Sequence, residues 1–184
     1  RIIAVGIGTG SGQIYERRGE THNHFIAIEA SSDQISITRL NAKINKISPN
    51  SYNIIQGFAG NSKGVYGASN QHAMNEIDVN DFNVDVLELD CEGAELAILD
   101  NMLIQPEYII VEMHPTIVNI NYKKFIDMMI NKKYKLVSSK TVKGEKIQID
   151  SLSSFFDNDS VNEKLNNNIG WGEILPVLLF KSLK

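Results

Sequence analysis

The sequence holds a single cysteine, Cys91. One thiol cannot close an internal disulfide, which points to a reducing compartment and a cytoplasmic protein. Long apolar runs are also missing. The longest, 174–180, contains Pro176, and it falls far short of the roughly 18 residues needed to cross a bilayer. A net charge of −4 leaves no basic field to draw in nucleic acid, so none is expected as a partner. Lysines gather at Lys123, Lys124, Lys132, Lys133 and Lys135, and a solvated helix face accounts for them. No secretory leader, internal repeat or low-complexity linker interrupts the pattern. The chain opens at Arg1 inside a strand-like run, so residues are expected upstream of it. Its 184 residues suit one domain, 1–184, with one core.

What is present is alternation. Short apolar runs at 2–7, 25–29, 52–56, 84–90, 108–113, 134–138 and 175–180 are separated by helical patterns, the signature of βαβ units around a parallel sheet. The clearest helix has Ile37, Leu40, Ile44 and Ile47 at helical spacing, with Ser31, Ser32 and Asp33 as candidate caps and Pro49 just beyond. A second carries Tyr122, Phe125, Ile126, Met129 and Ile130 on one face. The stretch 57–75, rich in Gly, Asn and Ser, reads as loop with a stray hairpin. Residues 140–170 match no regular pattern. In an open doubly wound sheet, ligands bind beyond the carboxyl ends of the strands, where strand order reverses.

After the first strand comes Gly6-Ile7-Gly8-Thr9-Gly10-Ser11-Gly12. Glycines allow positive φ and close approach of a ligand to the backbone. The helix start that follows would favour a carboxylate or phosphate. Glu29, 17 residues beyond Gly12, ends the second strand, where a carboxylate can accept hydrogen bonds from ribose hydroxyls. The dinucleotide fingerprint needs G-x-G-x-x-G, and its third glycine would fall at Ser11 or Gln13. The G-x-G-x-G spacing suits S-adenosylmethionine instead and weighs against a nicotinamide oxidoreductase. Gly6 stands where methyltransferase turns usually carry an acid.

A second constellation is Asp90-Cys91-Glu92-Gly93-Ala94-Glu95, followed one strand later by Glu112-Met113-His114. Negative charge at Glu92 and Glu95 favours a helix N-terminus, by roughly 0.3–1 kcal/mol each, so either carboxylate can be structural. Asp90 ends an apolar strand at the ligand-binding edge. The strand ends are expected to direct Asp90, Glu92, Glu112 and His114 toward one crevice, suited to general-base chemistry on a hydroxyl. A divalent cation on oxygen ligands is the less favoured use, and no metal ligand set is assigned.

The run 84–95 resembles the FkbM-type methyltransferases, whose signature is D-x-E-G-x-E. Asn80-Asp81-Phe82 is similar to that family's lead-in, Glu112-Met113-His114 to its Glu-x-His strand end, and Gly57-Phe58-Ala59 to its turn after the third strand. Ala27-Ile28-Glu29-Ala30-Ser31 resembles its F-E-P segment. Glu88 stands where the family has lysine.

The resemblance implies a Rossmann-like class I methyltransferase fold, with a mostly parallel seven-stranded sheet and helices on both faces. It implies S-adenosyl-L-methionine as cofactor and O-methylation of a sugar, glycolipid or natural-product hydroxyl. On that basis Gly8, Thr9 and Gly10 would cradle the methionine part and Glu29, with Ala30, the ribose. Phe58 and Ala59 would meet the adenine, and Asp90 the amino group. Glu92, Glu112 and His114 would face a small-molecule or glycan acceptor. A non-catalytic relative, suggested by Gly6 and Glu88, is the alternative. Nothing in the sequence bears on oligomeric state.

Overall fold

A computed structural model describes residues 1–6, 25–60, 75–114, 117, 120–157, 159, 161, 163, 167 and 175–184. The chain gathers into two compact units, Arg1–Gln105 and Pro106–Lys184. All seven main strands expected from the pattern are present, four in the first unit and three in the second.

In the first unit, β1 (Ile2–Val5), β2 (Phe25–Glu29), β3 (Tyr52–Gln56) and β6 (Val86–Leu89) lie in the order β3-β2-β1-β6, all parallel. Val5 pairs with both Ile28 and Leu89, so the carboxyl ends of β1, β2 and β6 stand level. Strand order reverses at β1: the chain steps one way to β2 and β3 and the other way to β6. At such a switch point a ligand crevice is expected, here beyond Val5.

Helix α1 (Ser32–Ile44) follows β2 and begins where the sequence indicates, with the Ser31 hydroxyl accepting from the Gln34 amide at 3.3 Å. Its buried face, however, is not the expected one. Ile35, Thr38 and Ala42 are buried, while Ile37, Leu40 and Ile44 are 42%, 57% and 67% exposed. Both stripes have helical spacing, so period alone does not choose between them. Small residues let the helix axis come close to the sheet, and Ala42 joins Ala4, Phe25, Ala27 and Ile47 in one cluster. The helix stops three residues before Ile47, and Lys46 turns the chain in the left-handed region at φ 56°.

After β3, β4 (Phe58–Ala59) lies parallel beside β5 (Glu76–Ile77). Most of the stretch read as loop with a stray hairpin lies outside the described residues. Helix α2 (Glu95–Asn101) is closed at its far end by Asn80. The Asn80 amide group donates to the Asn101 carbonyl at 3.2 Å, and its oxygen accepts from Leu103 at 2.7 Å. The segment that resembles a family lead-in therefore latches a helix terminus.

In the second unit, β9 (Pro176–Ser182) runs antiparallel between β7 (Tyr108–Glu112) and β8 (Tyr134–Thr141). A bulge breaks the register of β8 between Leu136 and Ser138. The irregular region beyond β8 turns back on itself. Ile147 donates to the Ser139 carbonyl at 3.0 Å and Thr141 to the Glu145 carbonyl at 2.8 Å, and a 3-10 helix follows over Ile149–Phe155.

Helix α3 (Tyr122–Asn131) buries Phe125 and Met129, whereas Ile130 is 52% exposed. Phe125 packs against Phe156 and Phe180, each with ring centroids 5.8 Å away. Tyr134 is buried with its hydroxyl donating to the Pro106 carbonyl at 2.8 Å, and burial pushes its pKa up to about 12. Among the described residues, no helix is long and apolar enough to cross a membrane.

Candidate functional site

The glycines expected to cradle a cofactor, Gly8 and Gly10, lie with Thr9 outside the described residues. Gly6, which opens the turn, is described. Its amide donates to the Ile28 carbonyl at 2.9 Å, and its φ is 75°. A β-carbon built on it would fall 1.8 Å from the Asp90 carbonyl oxygen and 2.8 Å from the Cys91 α-carbon. No side chain of any kind fits there. The missing acid is thus a packing requirement: the end of β1 touches the backbone that leaves β6.

That contact places Asp90. Its amide donates to the Val5 carbonyl at 3.0 Å, extending the β1–β6 ladder by one bond, and the residue sits half-buried at the switch point. The chain then folds tightly. Glu92 and Gly93 adopt φ values of 52° and 109° in succession, and Glu92 is exposed. For glycine a positive φ is free of strain, but for glutamate it costs roughly 1–2 kcal/mol, so the surroundings must hold it.

Glu95 does so. It is fully buried, with one carboxylate oxygen accepting from the Cys91 amide at 3.0 Å and the other from the Gly93 amide at 2.9 Å. The residue before it is Ala94, which offers α2 no capping side chain. Charge-assisted bonds from a carboxylate to backbone amides are among the stronger ones in proteins. The D-x-E-G-x-E run is therefore a braced loop: Glu95 grips it, Gly93 permits the bend, and Asp90 and Glu92 are what it displays. Sequence reasoning placed Glu95 only as a charge near a helix start. The signal it missed was a helix beginning without Ser, Thr, Asp or Asn at its cap.

Cys91 lies inside this loop. Burial, with the Glu95 and Asp90 charges beside it, holds its thiol well above the usual range. It is neither a nucleophile nor a ready metal ligand at neutral pH.

Glu29 is buried at the end of β2. One carboxylate oxygen accepts from the Ser31 amide at 2.8 Å, and its backbone carbonyl accepts from Gly57 at 3.0 Å. Ala30 is the half-buried bend that follows. Phe58 and Ala59 come directly after β3 and are each 5% exposed. The structure thus brings Gly6, Glu29 and Asp90 to neighbouring strand ends, with Phe58 and Ala59 one strand farther out.

In the second unit, β7 ends at Glu112 and His114 follows, both with mostly buried side chains. The His114 Nε2 lies 3.8 Å from a Glu112 carboxylate oxygen, too far for a direct hydrogen bond. At the start of α3 the sequence alone reads Lys123 and Lys124 as a solvated helix face and Tyr122 as part of an apolar one, not as a site. There, Tyr122, Lys123 and Lys124 share a cavity with Ser153 and Phe156.

No protein-family model and no curated protein sequence matches the chain. Solved structures do. TrmK of M. capricolum, in complex with S-adenosyl-homocysteine, aligns at a TM-score of 0.56 and 13% identity, covering 100% of this chain and 62% of that one. A precorrin-6y C5,15-methyltransferase from Geobacter metallireducens aligns at 0.53 and 13% identity, covering 97% of this chain and 76% of that one. The methyltransferase domain of a bacterial Hen1 protein aligns at 0.54 and 11% identity, covering 99% of this chain and 89% of that one. This chain thus spans about three fifths of TrmK. It has the Rossmann-like class I methyltransferase fold.

Proposed function

We propose that the chain is an S-adenosylmethionine-dependent methyltransferase that methylates a hydroxyl of a sugar, glycolipid or natural-product acceptor. The observation that carries this reading is the switch point, where Gly6, Asp90 and Glu29 end three adjacent parallel strands. The cofactor half is further supported by a solved neighbour in complex with S-adenosyl-homocysteine. The choice of a hydroxyl acceptor rests on the resemblance of the Asp90–Glu95 run to FkbM-type enzymes.

The residues present fit such a cofactor. Glu29, oriented by Ser31, would accept from the ribose hydroxyls, and Asp90 would meet the ammonium group. Gly8, Thr9 and Gly10 would line the methionine part, with Ala30, Phe58 and Ala59 on the ribose and adenine side. When bound, the cofactor supplies an electrophilic methyl group on a sulfonium. The protein's own part is to hold an acceptor oxygen in line and to take its proton. Holding geometry can contribute on the order of 7 kcal/mol to lowering the barrier. Of Glu92, Glu112 and His114, we assign the proton to His114, because the nearby Glu112 carboxylate would stabilise the imidazolium that forms.

Packing at Gly6 excludes any acid there, so its absence follows from the contact between β1 and the chain leaving β6. Isothermal calorimetry with S-adenosylhomocysteine tests the reading. Binding that weakens in Glu29→Ala is the expected result, and no heat at millimolar ligand would sink it.

A further inference from the structure

The second unit contains a cavity of about 780 Å³ that none of the roles above uses. Tyr122, Lys123 and Lys124 from the first turn of α3 form one wall, and Ser153 and Phe156 the other. Sheet register fixes where it lies. The chain leaves β7 at Glu112, opposite Val177, and β8 ends at Thr141, opposite Pro176. Helix α3 then carries the chain to Tyr134, at the far end of β8. Its first turn therefore stands at the carboxyl end of β7, the same end that carries Glu112 and His114.

Charge indicates the class of ligand. Lys123 and Lys124 are exposed and form no ion pair among the described residues. Asp157, the one acid in the lining, is already engaged within the chain. Ser153 adds a hydroxyl that makes no hydrogen bond among the described residues. The helix backbone contributes less, because the Asn121 side chain already accepts from the Lys123 amide at 2.9 Å. Behind the lysines the wall is aromatic. The Tyr122 ring lies 5.3 Å from Phe156, which stacks on Phe125. Burial raises the Tyr122 pKa, keeping its hydroxyl a neutral donor. Exposed lysines on a helix usually do no more than face water, and Lys133 and Lys135 lie outside the cavity lining. Lys123 and Lys124 differ because they border a concavity at the end of β7 that carries Glu112 and His114.

We propose that this cavity seats the methyl acceptor, and that the acceptor is a small molecule carrying a phosphate or carboxylate beside a ring with an apolar face. The word acceptor rests on the methyltransferase reading; the anion site does not. Pyrophosphate, glucuronate and neutral methyl glucoside serve as probes of the whole chain, followed by NMR.

Pyrophosphate or glucuronate should shift the amides of 122–124 and 153–157. In a Lys123→Gln, Lys124→Gln double variant, affinity for the anion should fall about tenfold or more, since two charged donors are removed. Methyl glucoside should bind both proteins alike. Absence of shifts at millimolar anion, or shifts undiminished in the variant, would overturn the proposal. So would binding of a short oligoribonucleotide at these residues without any binding of the small anions. Adding S-adenosylhomocysteine to the same samples separates the two ideas. If it binds and the anions do not, this inference alone fails; if the anions bind and it does not, the methyltransferase reading fails and the anion site stands.

Discussion

The loop after β6 and the cavity beside α3 both gather charged residues at a sheet end, and they use charge in opposite ways. In the loop, Glu95 is fully buried and its carboxylate closes on two amides of its own backbone. At the cavity, Lys123 and Lys124 face water without an ion pair among the described residues. A charge bound into the backbone shapes the chain, whereas one left open remains for a ligand. The two kinds of residue should therefore separate cleanly when replaced, one set moving stability and the other moving binding.

The largest effect is expected at the contact that places the loop. Gly6→Ala puts a β-carbon against the Asp90 carbonyl, a backbone atom that cannot step aside, in a left-handed conformation. We expect a loss of about 4 kcal/mol or failure to fold, read by urea denaturation. Wild-type stability in that variant would break the link between β1 and the loop.

Next is Glu95→Ala, which leaves two amides without their acceptor at a buried site. A loss of about 3 kcal/mol is expected, with faster hydrogen exchange at the Cys91 and Gly93 amides. Glu95→Gln keeps one acceptor oxygen and should restore part of that protection. If exchange at those amides does not change, the carboxylate is not the brace.

The smallest effect belongs to the cavity. Lys123→Gln with Lys124→Gln should leave the urea midpoint where it is, even as the anion affinity falls. A large drop in midpoint would assign the lysines to architecture and erase the contrast.

Most strand positions were readable in the sequence because a buried parallel strand is a short apolar run between turn residues. β2 and β3 fall on the expected residues, and β6 and β7 differ only at their ends. The face of α1 was not readable. Its larger side chains, Ile37, Leu40 and Ile44, advertised a core stripe, but the sheet took the smaller Thr38 and Ala42. Hydrophobicity marks which residues can be buried; how closely a helix can approach its sheet decides which are. The site was legible in the same partial way. Asp90 and Glu29 stand at strand ends as the alternation implied, since a strand's end follows from local pattern. The work of Glu95 and the exclusion at Gly6 depend on backbone φ and on contacts across strands. Neither is written in spacing. The cavity at α3 was missed for a related reason, since its two walls lie some thirty residues apart in the chain.

The bulge in β8 bears on a different matter, how the molecule avoids sticking to itself. A bare sheet edge is a template on which another chain can add a strand. β8 borders the sheet in the second unit, and three devices spoil that template. The returning segment 145–147 occupies the edge beside Ser139 and Thr141. The bulge between Leu136 and Ser138 disrupts the spacing of the free groups in the middle, and the exposed Lys135 adds a charge that an incoming strand would have to desolvate. A lysine there guards the edge against self-assembly.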